Sequence, residues 1–432
     1  MLKNTDPKLA KLIDLEANRQ EAEIELIASE NYTSADVMEA NGSILTNKYS
    51  EWYPGRRYYA GQEFIDQIEQ LAIDRAKELF DAEHVNVQPL SWSPANLAVY
   101  LGVLNPGDKV LGFSLDQGGH LSHGHPLNFS GILYEIVPYF VDKKTGIIDM
   151  DELEEIALRE KPKMILAWFS AYSRDLDWKR FRSIADKVGA VLMADIAHIA
   201  GLIAWGVLEN PVPICDIVTT TTHKTLRGPR WGMIMCKKEF AKQIDRAVFP
   251  GVQGWPHENL IAWKAVAFGE ALKPEFKKYT RQVIDNAKVL ASELMDSWFR
   301  IESNWTDNHL ILVDVFSSFW VTWKEAEKAL ELVWLSTNKN MIPYDPRKPM
   351  DPSWIRIGTP AATTRWMKED EIKIIAWVFT ESIKALQEAK WKKSEIEDKS
   401  DMSVFENENL IKKLGELKID ILELCGKFPV YK

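Results

Sequence analysis

Residues 190–236 read AVLMADIAHIAGLIAWGVLENPVPICDIVTTTTHKTLRGPRWGMIMC and contain three short apolar runs, at 190–194, 216–220 and 232–236. Runs that are apolar nearly throughout, without polar alternation, are the signature of strands buried on both faces, as in a parallel sheet covered by helices. Working outward, further β-prone runs stand at 84–88, 109–113, 132–137 and 164–167, separated by helical or loop stretches. This alternation predicts an α/β domain with a largely parallel sheet. A helical stripe of Ile65, Ile68, Ala72, Ile73, Ala76 and Leu79 precedes it. Residues 6–28 read as a polar N-terminal helix with Thr5 as N-cap.

After about residue 275 the pattern changes to a long helix at 275–299, a strand at 309–315, helices at 323–333 and 367–389, and a charged helical tail. The expected organisation is a helical arm (1–45), a large α/β domain (46–275) and a small C-terminal α+β domain (276–432). The Lys/Glu-rich stretch 390–399 reads as a solvated linker or helix face.

A hydrophobic fraction of 46% with 27% charged residues describes an ordinary globular chain, long enough at 432 residues for two or three cores. The net charge of −10 argues against a general nucleic-acid binder. Three scattered cysteines, Cys215, Cys236 and Cys425, suggest neither a disulfide framework nor a cysteine zinc site. The N-terminus lacks a signal-peptide core and no apolar run is long enough to span a bilayer, so a cytoplasmic protein with no membrane partner is expected.

In a parallel sheet, ligands gather at the carboxyl ends of the strands. Three places stand out there. Ser91-Trp92-Ser93-Pro94 opens a helical run, and a serine cap with proline at the first helical position gives a helix start that can bind phosphate; an ordinary capped helix fits as well. Asp195 ends the run 190–194, with His198 just beyond; it reads as a carboxylate able to keep a pyridine nitrogen protonated, or as a turn residue. Lys224 follows the threonines 219–222 with Arg227 and Arg230 nearby; it reads as an amine activated by neighbouring charge, or as a surface lysine. Phosphate cup, aspartate and lysine in that order form the working set of a pyridoxal-phosphate (PLP) site. The histidines of His120-Leu121-Ser122-His123-Gly124-His125 invite a metal reading, but no acidic or cysteine ligand accompanies them and no metal is expected.

The residues 25–31 (ELIASEN), 45–49 (LTNKY), 57–59 (RYY), 118–121 (GGHL), 197–201 (AHIAG), 219–230 (TTTTHKTLRGPR) and 356–360 (RIGTP) resemble serine hydroxymethyltransferase. The resemblance implies an aspartate-aminotransferase-like, fold-type I PLP enzyme. Its members interconvert L-serine and glycine, with tetrahydrofolate as co-substrate and 5,10-methylenetetrahydrofolate as the one-carbon product. It further implies a homodimer or larger self-assembly with shared active sites.

Carried over by position, Lys224 would hold the cofactor as a Schiff base and Asp195 would pair with its ring nitrogen. His120 would stack on the ring, while His198 and Ser170 would flank its O3′ side. Ser93, with Ser91, would hold the phosphate, and His223 would sit beside the lysine. Arg356 would clamp the amino-acid carboxylate with Ser29 and Tyr59 assisting, and Glu51 would move protons. Leu115, Gly119, Leu121 and Asn340 would line the folate site, and Tyr49 with Gln253 and Gly254 would reach the neighbouring subunit's cofactor. A threonine aldolase-like enzyme would need Lys224, Asp195 and Arg356 without the folate residues, and an inactive homologue would keep only the fold.

Departures from the pattern are mostly of one kind. The chain has 17 tryptophans, and Trp52, Trp92, Trp168, Trp205, Trp231, Trp255, Trp298, Trp305, Trp323, Trp354 and Trp366 stand where the family pattern has glycine. Trp178 alone stands where tryptophan is expected. Independent drift would scatter among residue types, so the one-way change suggests a UGA codon that means glycine but is written as tryptophan. Bulky rings at 92 and 255, if present, would weaken or abolish PLP binding. Smaller departures are Leu90 and Pro94 beside the cup and Asp116-Gln117 before the 118–121 run.

Overall fold

The run of apolar strands read from the sequence becomes one seven-stranded sheet. The computed structural model describes residues 2–119, 121–341, 343–345, 347, 352–391 and 400–431. It divides into two compact units, Thr33–Arg281 and a second formed by Met1–Tyr32 together with Gln282–Lys432. These borders differ from 45/46 and 275/276. The segment before residue 33 joins the C-terminal unit because Ile24–Glu25 pairs in parallel with Leu335–Ser336, and because the Arg365 guanidinium donates to the Glu21 and Glu23 carbonyls at 2.9 and 2.7 Å.

In the unit Thr33–Arg281 the strands are β1 (His84–Asn86), β2 (Lys109–Phe113), β3 (Glu135–Tyr139), β4 (Met164–Trp168), β5 (Val191–Asp195), β6 (Ile217–Thr221) and β7 (Gly232–Cys236). Their order across the sheet is β1-β7-β6-β5-β4-β2-β3, and β7 alone runs antiparallel to its neighbours. Strands β4, β6 and β7 are buried at every residue, which is why they read as unbroken apolar runs. One run was misplaced: Ile132 belongs to the helix Phe129–Leu133, started by Asn128 accepting from Ser130 N, and β3 begins at Glu135.

The helix Glu63–Phe80 buries the stripe Ile65, Ala72, Ala76 and Leu79, as its periodicity demands. The N-terminal helix is Pro7–Ala22, and its cap is Asp6 rather than Thr5: the Asp6 carboxylate accepts from Leu9 N at 2.9 Å, and Pro7 sits at the first helical position.

The second unit carries a four-stranded sheet including Leu310–Asp314 and Trp354–Gly358 in antiparallel register, under the long helices Pro274–Asp296 (which begins in the first unit), Glu369–Trp391 and Glu408–Lys427. Lys390 is not solvated as the charge pattern suggested. Its amine donates to the buried Glu325 carboxylate at 2.8 Å. Residues 392–399 of that stretch lie outside the described residues. No described helix is long and apolar enough to cross a membrane.

Candidate active site

The carboxyl ends of β4, β5 and β6 carry Trp168, Asp195 and the 219–224 run, neighbours by strand register. Three threonine hydroxyls there donate to carbonyls of the neighbouring loops. They stitch backbone: Thr221 Oγ1 donates to Ala197 O (3.0 Å), Thr222 Oγ1 to Pro229 O (2.6 Å) and Thr225 Oγ1 to His198 O (2.9 Å). The loops bearing His198 and Lys224 are thereby fixed to one another. Gly201 permits this, since a Cβ there would lie 2.2 Å from Thr225 O.

Asp195 is buried at the centre of a polar cluster. Its Oδ1 accepts from Ala197 N at 3.0 Å, and its Oδ2 lies 3.1 Å from His123 Nε2 and 3.1 Å from Asn96 Nδ2. Tyr100 Oη meets His123 Nδ1 at 3.1 Å, and Thr219 Oγ1 donates to Asn96 Oδ1 at 2.7 Å. Burial by itself would raise the Asp195 carboxyl, but the His123 hydrogen bond and charge, the Ala197 N–H and Lys224 together hold it below the usual carboxylate range. An ionised, oriented carboxylate is what a protonated heteroaromatic ring requires.

Asn96 and Tyr100 were not singled out from sequence, and His123 appeared only within the metal reading. Trp92, Asn96 and Tyr100 recur every four residues on one face of the helix Trp92–Val103, a spacing that could have revealed them.

That helix starts earlier than the serine–proline pair suggests. Ser91 is its N-cap, Ser93 lies in its first turn, and Ala95 N donates to Ser91 O at 3.0 Å. Pro94 has no N–H, so the amides of Trp92 and Ser93 are the ones that point out of the helix start. Gly232 lets β7 pass beside them: a Cβ there would meet Ser91 O at 2.5 Å.

The Trp92 indole occupies the space between Asp195 and the lysine. Its Nε1–H donates to Asp195 Oδ2 at 2.5 Å, and Lys224 Nζ lies 5.0 Å from its ring centroid. A flat heteroaromatic ring thus already sits between the carboxylate and the amine. Asp195 and Lys224 suit PLP, but with Trp92 in place its ring does not fit.

Ser170 Oγ lies 3.4 Å from His198 Nε2, and both residues are at the same strand ends. His223 is pulled down to about 3 by burial, with Lys224 and Arg230 adding to the effect, so it is a neutral imidazole beside the lysine. Arg227 stacks on Tyr279 at 4.9 Å and Arg230 is exposed. Gly119 sits in the loop after β2, where a Cβ would meet Phe113 O at 2.7 Å, and Leu115 is half-buried in the turn Leu115–Gln117. The Gln117 side chain, one of the departures, is structural: it accepts from Val141 N at 2.8 Å. His120 and the side chain of Leu121 lie outside the described residues.

Tyr49, Tyr59 and Trp255 form an exposed aromatic group, with Tyr49 4.9 Å from Tyr59 and 4.5 Å from Trp255. Glu51 is half-buried nearby in sequence. Gln253 is engaged within its own chain, donating to Gln88 O at 2.9 Å and accepting from Leu90 N at 3.0 Å, while Gly254 has open space around it.

In the second unit Arg356 is buried on the strand Trp354–Gly358. Its Nη2 donates to Ser29 Oγ at 3.2 Å and its Nε to Asn338 Oδ1 at 3.3 Å; burial pulls the guanidinium down to about 10. Asn340 lies two residues along the adjacent strand, its amide donating to Met341 O. Gly358 lets the Ala28–Ser29 segment approach, since a Cβ there would lie 2.7 Å from Ala28 Cβ.

The mainly parallel sheet is consistent with the fold of the type I, PLP-dependent transferases, the class to which the family match assigns the chain. The family model of serine hydroxymethyltransferase matches residues 2–379, and the chain belongs to that family. The family's reaction transfers the hydroxymethyl carbon of serine in one-carbon metabolism, leaving glycine.

Proposed function

We propose that this protein, once the space filled by the Trp92 indole is open, interconverts L-serine and glycine with tetrahydrofolate as one-carbon acceptor, and that Lys224 is then the amine that holds PLP. The observation that carries the assignment is a buried, ionised Asp195 and Lys224 on either side of one flat ring, the Trp92 indole, at the ends of β5 and β6. PLP would supply the electron sink for the carbanion left at Cα.

The chain's own residues divide the remaining tasks. Arg356, steadied by Ser29 and Asn338, receives the amino-acid carboxylate as a planar fork. Tyr59 assists it. Glu51 moves the proton of the serine hydroxyl, and neutral His223 stays uncharged beside Lys224. Ser170 and His198 would flank the cofactor's O3′ side and His120 would stack on its ring. Ser91 and Ser93 would hold its phosphate at the helix start. Leu115, Gly119, Leu121 and Asn340 line the folate site. Tyr49 and the Gln253-Gly254 loop serve the neighbouring subunit of a homodimer; the exposed contact of Tyr49 with Trp255, which follows that loop, supports this reading. A cytoplasmic location accompanies this reading.

The test is tetrahydrofolate-dependent release of glycine from serine by a chain that has taken up PLP. Serine cleavage that proceeds equally without tetrahydrofolate would assign the protein to a threonine aldolase-like activity instead.

A further inference from the structure

Eleven described non-glycine residues have φ in the left-handed region, and five of them are tryptophans: Trp52 (76°), Trp298 (75°), Trp320 (56°), Trp334 (65°) and Trp366 (70°). Tryptophan makes up 17 of 432 residues, so chance would put fewer than one among eleven. The usual occupants of such φ values are glycine, asparagine and aspartate, because a large side chain clashes there.

Four of the five stand at helix C-termini. Trp320 is the C-cap after Val315–Phe319, Trp334 follows the Val333 C-cap, Trp366 follows the Arg365 C-cap, and Trp298 follows Pro274–Asp296. The chain holds a glycine reference for this geometry in Gly189 (φ 68°), after Trp178–Val188. Past Gly189 the next amide, Ala190 N, returns to Ala185 O at 3.0 Å. Past Trp298, Phe299 N returns to Leu294 O at 3.0 Å, and past Trp366, Met367 N returns to Ala362 O at 3.2 Å. All three are the same six-residue closure, which favours glycine at its turning point. Trp320 and Trp334 were not on the list read from the family pattern, so the backbone adds them independently.

Trp92 completes the set by a different route, since its indole takes the ring space between Asp195 and Lys224. An unpartnered indole N–H is not the discriminator: buried Trp231 and Trp354 have one, but so does Trp178.

We infer that residues 52, 92, 298, 320, 334 and 366 are glycine in the polypeptide made by the gene's own cell, and that glycine at 92 is what opens the PLP ring space. One residue type at five positions with a single stereochemical demand, and at a sixth where its ring fills the space between Asp195 and Lys224, points to one coding event, a UGA read as glycine, rather than six separate substitutions. The part concerning residue 92 rests on the function proposed above; the other five rest on backbone geometry alone.

Synthetic genes encoding the chain as written, Trp92→Gly alone, all six exchanges to glycine and all six to alanine test it. PLP uptake, read from the visible band of the lysine Schiff base, is expected for the chains with glycine at 92 and absent from the chain as written. The six-glycine chain is expected to melt roughly 10 °C higher than the chain as written, and the six-alanine chain to gain less, because alanine is still strained at positive φ. Equal PLP uptake by the tryptophan and glycine chains, or uptake by neither while both melt cooperatively, overturns the inference at 92. Equal melting of the glycine and alanine chains overturns it at the other five. Mass spectrometry of peptides spanning Ser91–Asn96 and Ser297–Phe299 from the source cell must show glycine; tryptophan there overturns the coding argument. A glycine chain that takes up PLP yet cleaves serine without tetrahydrofolate would sink the proposed activity and leave this inference standing.

Discussion

Asp195 in one unit and Arg356 in the other are both buried ions, yet their surroundings differ. Asp195 has four donors within 3.1 Å, from Trp92, Asn96, His123 and Ala197, and its charge is stabilised before any ligand arrives. Two of the groups that hold Arg356 are neutral oxygens, Ser29 Oγ at 3.2 Å and Asn338 Oδ1 at 3.3 Å, and burial draws the guanidinium down to about 10. Neutral oxygens offset part of the desolvation cost of a cation, and a carboxylate offsets more. The Asp195 charge is thus fixed and oriented in the folded chain, as the proposed resident ring would need, while Arg356 would take the proposed role toward a transient substrate anion.

This contrast can be broken or sharpened by substitution, the first four in a chain that takes up PLP. Lys224→Ala should remove the Schiff-base band and lower turnover by ~10³-fold or more, because no other group replaces the amine. A persisting band would remove Lys224 from its role. Asp195→Ala should cost about 3 kcal/mol in urea unfolding by stranding the Asn96 and His123 donors, with Asp195→Asn costing less. A loss under about 1 kcal/mol would mean that the carboxylate's setting is not preformed.

Arg356→Ala should raise KM for serine by roughly a hundredfold while PLP uptake stays unchanged, and lysine should restore little of it. Parallel loss of PLP binding would erase the distinction between resident and transient pockets. Trp298→Gly, at a ring that is 84% exposed, should stabilise by about 1 kcal/mol, whereas Trp298→Ala should gain less.

The last prediction concerns pH. His223 has a folded pKa of about 3 against an ordinary 6.5, so the unfolded chain takes up a proton first. Its contribution to stability is present above pH 6.5 and lost as pH falls toward 3. His223→Gln should flatten that part of the stability–pH curve, and an unchanged curve would show that His223 is not held neutral.

The strands of the large sheet were legible because burial on both faces writes unbroken apolar runs into β4, β6 and β7. Ile132 is not legible as helical because the helix Phe129–Leu133 is too short to show a period. Lys390 was misread because charge composition does not reveal a buried partner such as Glu325. The His123–Asp195 contact joins residues distant in sequence and leaves no local pattern.

By itself the sequence determined the parallel sheet and the order along the chain of Ser91–Pro94, Asp195 and Lys224, and it raised the expectation that tryptophan stands at glycine positions, since each is a matter of local composition or of order along the chain. Only the tertiary structure decided that Trp92 fills the ring space, that His123 and Asn96 fix the aspartate, and that Trp320 and Trp334 join the glycine-like set. Those depend on where the backbone turns and which distant groups meet, and φ values and long-range contacts are properties of the folded chain.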